Sequence, residues 1–81
     1  MDIGMLWSKR DRRQSLDAAV REAAEYYLSK YGLQATLCHC HPQALLAAGN
    51  PSHVGAIRMA GSRLIGRDDL WIGVGETEDV R

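Results

Sequence analysis

The segment LDAAVREAAEYYLSKY, Leu16–Tyr31, carries the strongest structural pattern in the sequence. Its apolar residues fall at positions i, i+3, i+4, i+7 and i+8, and the series continues to Tyr31, so one face of an α-helix is apolar for about four turns. These residues are Leu16, Ala19, Val20, Ala23, Ala24, Tyr27, Leu28 and Tyr31. Because several of them are alanine, the helix is expected to lie close against a sheet.

The flanking residues predict where this helix begins and ends. Ser8 is the expected N-cap, and Asp11 three residues later completes a variant of the capping box. Gly32 follows the last apolar position and supplies the left-handed conformation that ends many helices. The predicted helix therefore covers about residues 8–31 and packs its apolar stripe on the rest of the domain.

After the helix, the sequence changes to short strands separated by turns. Residues 33–41 are predicted to form a strand that ends at Pro42, because the residue before a proline favours extended geometry. Pro42 itself suits the first turn of a short helix, predicted over residues 42–48. Two further strands are predicted from β-branched and aromatic residues. They cover residues 54–60 and 70–74.

These elements predict an α+β fold in the order helix, strand, short helix, strand, strand. The expected architecture is a small three-stranded, mostly antiparallel sheet with the long N-terminal helix packed on one face. The last two strands would form an antiparallel hairpin with a long loop, and the first strand could pair with either. One domain is expected over residues 1–75, followed by a flexible acidic tail over residues 76–81.

The composition argues against several classes of protein. The chain has 81 residues, which is enough for one domain with a small core. Its 10 basic and 10 acidic side chains cancel, which argues against a dedicated nucleic-acid or membrane binder. No apolar run approaches the roughly 18 residues of a membrane span, and the first residues lack the pattern of a signal peptide. We therefore expect a cytoplasmic protein that does not bind membranes.

The most conspicuous chemical motif is a run of four potential zinc ligands, Cys38, His39, Cys40 and His41. On a strand the cysteines point to one side and the histidines to the other, so one tetrahedral ion cannot bind all four. A metal site would need His53 or ligands from another copy of the chain. The thiols are also poorly placed for a disulfide, and Cys38 cannot bond to His39 as a catalytic pair would. The favoured interpretation is two buried cysteines and no cofactor, with metal binding as an alternative.

Basic side chains crowd near the N-terminus, at Lys9, Arg10, Arg12 and Arg13. On the first turns of the predicted helix they would oppose the helix dipole, and this unfavourable placement suggests that they have a use. Nucleic-acid phosphates and an acidic protein surface are the two candidates. The sequence has no helix-turn-helix, zinc-finger or RNA-binding aromatic motif beside them. A nucleic-acid-binding accessory protein is therefore the alternative function.

The sheet face turned away from the long helix is the expected functional surface. Strand alternation sorts the residues between the two faces. Those expected to face the helix are Cys38, Cys40, Ile57 and Met59. Those expected to face away are Leu37, His39, Ala56 and Arg58. The strand register decides whether Trp71 joins the second set, and an alternative arrangement has the short helix and the N-terminal segment covering that face.

The first functional prediction is a non-enzymatic protein-interaction or assembly module, because no nucleophile or phosphate-binding motif is complete. The chain is expected to form a homodimer or higher oligomer through the open sheet face or the N-terminal apolar segment. An unidentified second protein is the other candidate partner. The predicted partner-binding residues are Trp7, Arg10, Arg13, His39, Arg58 and Trp71.

Overall fold

The computed structural model of the protein describes residues 3–75. Within those residues the chain forms an α+β domain, as predicted, with one long helix and a five-stranded sheet. In chain order the elements are β1 (Ile3–Ser8), α1 (Leu16–Tyr31), β2 (Leu37–Cys40), α2 (Pro42–Ala47), β3 (His53–Val54), β4 (Ile57–Gly61) and β5 (Asp69–Val74). The predicted acidic tail, residues 76–81, lies outside the described residues.

β2 lies in the middle of the sheet, whose strand order is β1-β5-β2-β4-β3. It runs parallel to β4 and antiparallel to β5, and the outer pairs β1–β5 and β3–β4 are also antiparallel. The predicted three-stranded sheet is therefore wrong, and the predicted hairpin of residues 54–60 with 70–74 does not form, because β2 separates β4 from β5. A central position lets both edges of the buried β2 form main-chain hydrogen bonds, which an edge position would leave unpaired.

The N-terminal segment is a strand, not the start of the helix. Ser8 is the last residue of β1, and α1 begins only at Leu16 with Ser15 as its N-cap. The Ser15 hydroxyl accepts the Ala18 N–H at 3.1 Å. The predicted N-cap at Ser8 and the predicted order with the helix first are therefore wrong. Apolar residues that alternate along β1 pair well with β5, and this pairing outweighs helix formation before Ser15.

The acidic residue expected at the third helical position organises the loop between β1 and α1 instead. The Asp11 carboxylate accepts the Arg13 N–H at 2.9 Å, and the Asp11 carbonyl accepts the Gln14 N–H at 2.9 Å. This local side-chain bond offers the backbone a turn in place of a helix. The basic cluster therefore lies in a loop before α1 rather than on its first turns.

The predicted ends of the other elements agree with the structure to different degrees, and the strand predicted over residues 33–41 covers only Leu37–Cys40. Gly32 ends α1 in the left-handed conformation, with φ of 69°, and its N–H donates to the Leu28 carbonyl at 2.8 Å. The short helix α2 ends one residue before the predicted limit. The predicted strand over residues 54–60 is split by a turn at Gly55, where φ is +60°. Ala56 lies in that turn and not on a sheet face, which corrects its predicted position.

The core forms where α1 packs on one face of the sheet. Its fully buried helix residues include Ala19 and Ala23, which have no exposed surface and allow close approach. The strand residues that face them are, as predicted, Cys38, Cys40, Ile57 and Met59, together with Leu70 and Ile72. At the end of the helical stripe, Leu28 and Tyr31 remain 44% and 41% exposed, so the buried stripe is narrower than the sequence predicted.

Candidate interaction surface

The sheet face opposite α1 is named here the helix-free face. The register aligns Leu6 with Trp71, Trp71 with His39, and His39 with Ala60, so one row of side chains crosses four strands. Strand alternation places two residues away on the same face. The full set is Gly4, Leu6, Ser8, Leu37, His39, His53, Arg58, Ala60, Asp69, Trp71 and Gly73. Register therefore decides that Trp71 joins His39 and Arg58.

Neither element proposed as a cover for this face lies over it. Leu45 of α2 packs against the core cluster that α1 covers. The N-terminal apolar segment is β1, which belongs to the sheet itself. Within residues 3–75, the helix-free face is left without a helix, as an antiparallel or mixed sheet of a small domain permits.

An open groove of about 480 Å³ lies on the helix-free face. Its lining residues are Gly4, His39, Ser62, Leu64, Ile65 and Trp71. The His39 and Trp71 rings meet edge to face, with centroids 5.3 Å apart and an interplanar angle of 88°. The Trp71 ring lies against Gly4, where an added Cβ would collide with it. Aromatic rings fixed in this way present apolar area with little conformational entropy left to lose.

Two leucines beside this groove are strongly exposed. Leu6 is 62% exposed, and Leu64 in the β4–β5 loop is 94% exposed. A single exposed leucine is ordinary on a protein surface, but these two both adjoin Trp71, because Leu6 is its cross-strand neighbour and Leu64 lines the same groove. The predicted partner-binding residues include neither leucine, although Leu6 lies in the N-terminal apolar segment through which self-association is predicted. Period-two alternation over residues 3–8 was the signal that could have placed Leu6 on a strand.

The predicted partner-binding residues do not form one surface. His39, Arg58 and Trp71 share the helix-free face. Trp7 faces the other way and packs on Tyr26, with ring centroids 5.2 Å apart. Its indole N–H is buried and has no hydrogen-bond partner within the described part of the chain. Trp7 therefore serves the packing between β1 and α1.

The remaining two predicted residues, Arg10 and Arg13, lie in the β1–α1 loop, where carboxylates pair with the basic cluster. Arg10 contacts Glu22 at 3.0 Å, Arg12 contacts Asp68 at 3.4 Å and Arg13 contacts Asp11 at 3.4 Å. These contacts join pairs of oppositely charged side chains at the surface. The cluster therefore presents less free positive charge to phosphates than the sequence alone implies.

Hydrogen bonds lower the pKa of two acids that pair with this loop, Asp11 in the loop and Glu22 on α1. The pKa of Glu22 is lowered, first by the hydrogen bond from the Gln14 side chain and then by that from Arg10. The pKa of Asp11 is lowered, first by the backbone N–H of Arg13 and then by its guanidinium. Carboxylates are ionised at neutral pH in any case, and the lowered pKa values extend the ionised state of Asp11 and Glu22 to more acidic pH.

The Cys38–Cys40 strand has the alternation that the sequence predicts. Both thiols are free and fully buried under α1, and burial together with the nearby Cys40 raises the pKa of Cys38 to about 12. Burial also raises the pKa of Cys40. Protonated, inaccessible thiols are poor nucleophiles and poor metal ligands.

The three candidate histidine ligands, His39, His41 and His53, lie in different local environments. His39 lies on the helix-free face, whereas His41 is the N-cap of α2 and its Nδ1 accepts the Gln43 N–H at 3.0 Å. His53 lies within 3.1 Å of the Ser52 hydroxyl. Among residues 3–75, no group of three or more His, Cys, Asp or Glu side chains converges as metal ligands would.

No protein-family model matches this chain, and neither curated proteins nor solved structures yield a match. Within the described residues, no helix has the length and apolar character needed to cross a membrane. The candidate site therefore rests on the geometry of the helix-free face, where exposed leucines adjoin a fixed His39–Trp71 pair.

Proposed function

We propose that this protein is a non-enzymatic interaction module that self-associates through the helix-free side of its sheet. The observation that supports this most directly is the apolar patch formed by Leu6, Leu64 and the Trp71 groove on a face without a helix. An exposed patch of this kind marks an interaction site more often than chance exposure. Buried, protonated thiols suit a reducing compartment, so we propose the cytoplasm as its location.

The exposed leucines set a scale for the association. Leu6 is 62% exposed and Leu64 is 94% exposed. Full burial of a leucine contributes roughly 1.5–3 kcal/mol, so covering both in each of two copies contributes roughly 5–9 kcal/mol. Association itself costs an estimated ~4–15 kcal/mol in lost freedom and ordering. The leucines alone thus roughly offset the cost of association, and other contacts must supply the net affinity of a dimer.

Light scattering of the full chain at two widely separated concentrations tests the proposal. The expected result is a mass that rises from monomer toward dimer or higher oligomer with concentration. Leu64→Ser should weaken this rise, because it removes apolar area from the patch. Leu46→Ser is the matched control, since Leu46 is 58% exposed on α2, away from the helix-free face. A strict monomer at both concentrations would refute self-association.

A further inference from the structure

Within residues 3–75, no strand lies beside the outer edge of β1, and two hydrogen bonds show which main-chain groups point toward that edge. The Lys9 N–H donates to the Asp68 carbonyl at 2.8 Å. Hydrogen-bonded pairs recur at every second residue of an antiparallel ladder, so the odd-numbered residues of β1 are the ones that bond to β5. The Gly73 carbonyl accepts the Thr36 N–H at 2.9 Å and so points away from β1. Both observations place the N–H and C=O groups of Gly4, Leu6 and Ser8 on the outer side of the sheet.

The two edges of the sheet differ in the features that prevent pairing with another strand. β3, at one edge, has only 2 residues and ends at the Gly55 turn, which prevents it from accepting another strand. β1, at the other edge, has 6 residues and contains no charged residue and no proline. Charged residues and prolines are features by which proteins usually keep a free edge from pairing with another strand. β1 is therefore the edge that is competent to add a strand.

We propose that two copies of this chain pair antiparallel through β1, with the two-fold axis at Leu6, so that one sheet continues through both copies. This rests on the self-association proposed above and adds a contact at the sheet edge, which brings the two helix-free faces side by side. In this register Gly4 lies opposite the partner's Ser8, and Leu6 lies opposite the partner's Leu6. The outward-pointing main-chain groups of Gly4, Leu6 and Ser8 then each lie opposite such groups of the other copy. The three pairs give about six main-chain hydrogen bonds.

A second copy fits this edge because the register is self-complementary. A two-fold axis requires the paired residue numbers to sum to an even value, and the free groups lie only on even-numbered positions of β1. The same register also places apolar side chains opposite each other on both faces of the sheet. The 62% exposed Leu6 would pack on its counterpart across the axis, and on the other face Met5 would lie opposite the partner's Trp7. The helix-free faces then form one continuous surface.

Disulfide trapping tests this register directly. In Leu6→Cys the two introduced thiols face each other across the axis, at the Cα separation of about 5.5 Å expected for a bonded antiparallel pair, which a disulfide can span. In Ser8→Cys, on the same strand and face, the thiols lie about 14 Å apart along the strands. Mild oxidation should link Leu6→Cys into a covalent dimer and leave Ser8→Cys unlinked. Linking of Ser8→Cys in preference to Leu6→Cys would overturn the register.

A proline variant separates edge pairing from packing of the helix-free faces. Leu6→Pro removes an N–H that points outward and leaves the β1–β5 hydrogen bonds in place. It should weaken self-association by roughly ten- to hundredfold, because a dimer loses two main-chain donors. Leu6→Val keeps the N–H and should remain close to the wild type. Circular dichroism of both variants checks that each one is folded.

The outcomes distinguish this inference from the proposed function. If the wild-type chain is a strict monomer, both fail. A second outcome is that the wild-type chain self-associates, that Leu6→Pro associates as strongly as the wild type, and that Leu6→Cys does not cross-link. In that case the edge-pairing geometry fails, and association through the Leu64–Trp71 patch stands. Loss of association in Leu6→Pro together with selective trapping of Leu6→Cys supports self-association through the β1 edge, and Leu64→Ser then shows whether the patch on the helix-free face contributes to it.

Discussion

Ile72→Val is the most informative single test of the strand register. Ile72 has no exposed surface and lies on the face of β5 that packs beneath α1, whereas the adjacent Trp71 lies on the helix-free face. Removing one buried methylene from an isoleucine costs roughly 0.5–1.5 kcal/mol, which includes the cavity it leaves. A domain of this size would lose about 4–8 °C of Tm for each kcal/mol. We therefore expect a fall in Tm of about 2–12 °C.

Leu6→Val is the matched control for this prediction, because it also removes one methylene but at a site that is 62% exposed. Its effect on the free energy of unfolding should stay within about 0.5 kcal/mol. Urea denaturation followed by far-ultraviolet circular dichroism, at a concentration low enough to favour the monomer, measures both variants. A slip of one residue in register would exchange the two faces. Equal losses in the two variants, or a larger loss in Leu6→Val, would therefore refute the assigned faces.

Three further predictions concern the ends of α1 and the buried thiols. Ser15→Ala should cost about 1 kcal/mol of unfolding free energy in thermal denaturation, because it removes the N-cap, and Ser8→Ala should leave α1 unchanged. Gly32→Ala should cost about 1 kcal/mol in the same assay, because φ is +69° and no neighbouring atom supplies a compensating contact. The folded state holds Cys38 protonated, with its pKa raised from 9.0 to about 12. Its contribution to stability is therefore present below pH 9 and is lost as pH rises toward 12, at up to roughly 1.4 kcal/mol per pH unit, because only the unfolded chain ionises it in that range. Urea titrations at several pH values should show this slope in the wild type and a shallower slope in Cys38→Ala.

The pattern of the helix was predictable because it is local. The apolar positions of α1 repeat within a few residues of one another, and Gly32 ends the helix through its own backbone freedom. The beginning was misplaced because two serines, Ser8 and Ser15, are both acceptable N-caps. The choice between them depends on β5, which pairs with the segment before Ser8 from more than 60 positions away.

The candidate surface was predictable only in part. Alternation along β2 placed His39 opposite Cys38 and Cys40, and this follows from the geometry of any strand. Trp71 could have joined either face, because a single-residue shift in register reverses the assignment. Leu64 carries no periodic signal at all, since it lies in a loop whose position depends on the strands it joins.

Local sequence patterns thus determined that this chain has a long amphipathic helix, a short second helix that begins at Pro42, and a strand with two buried cysteines. These features depend on residues that are close together in the chain and on backbone preferences that act within a turn or two. Strand order, register and the exposed edge of β1 were decided only by long-range pairing. Several pairings satisfy the same local patterns, and only the packed sheet selects the one in which β2 is bonded on both sides and β1 is left with a free edge.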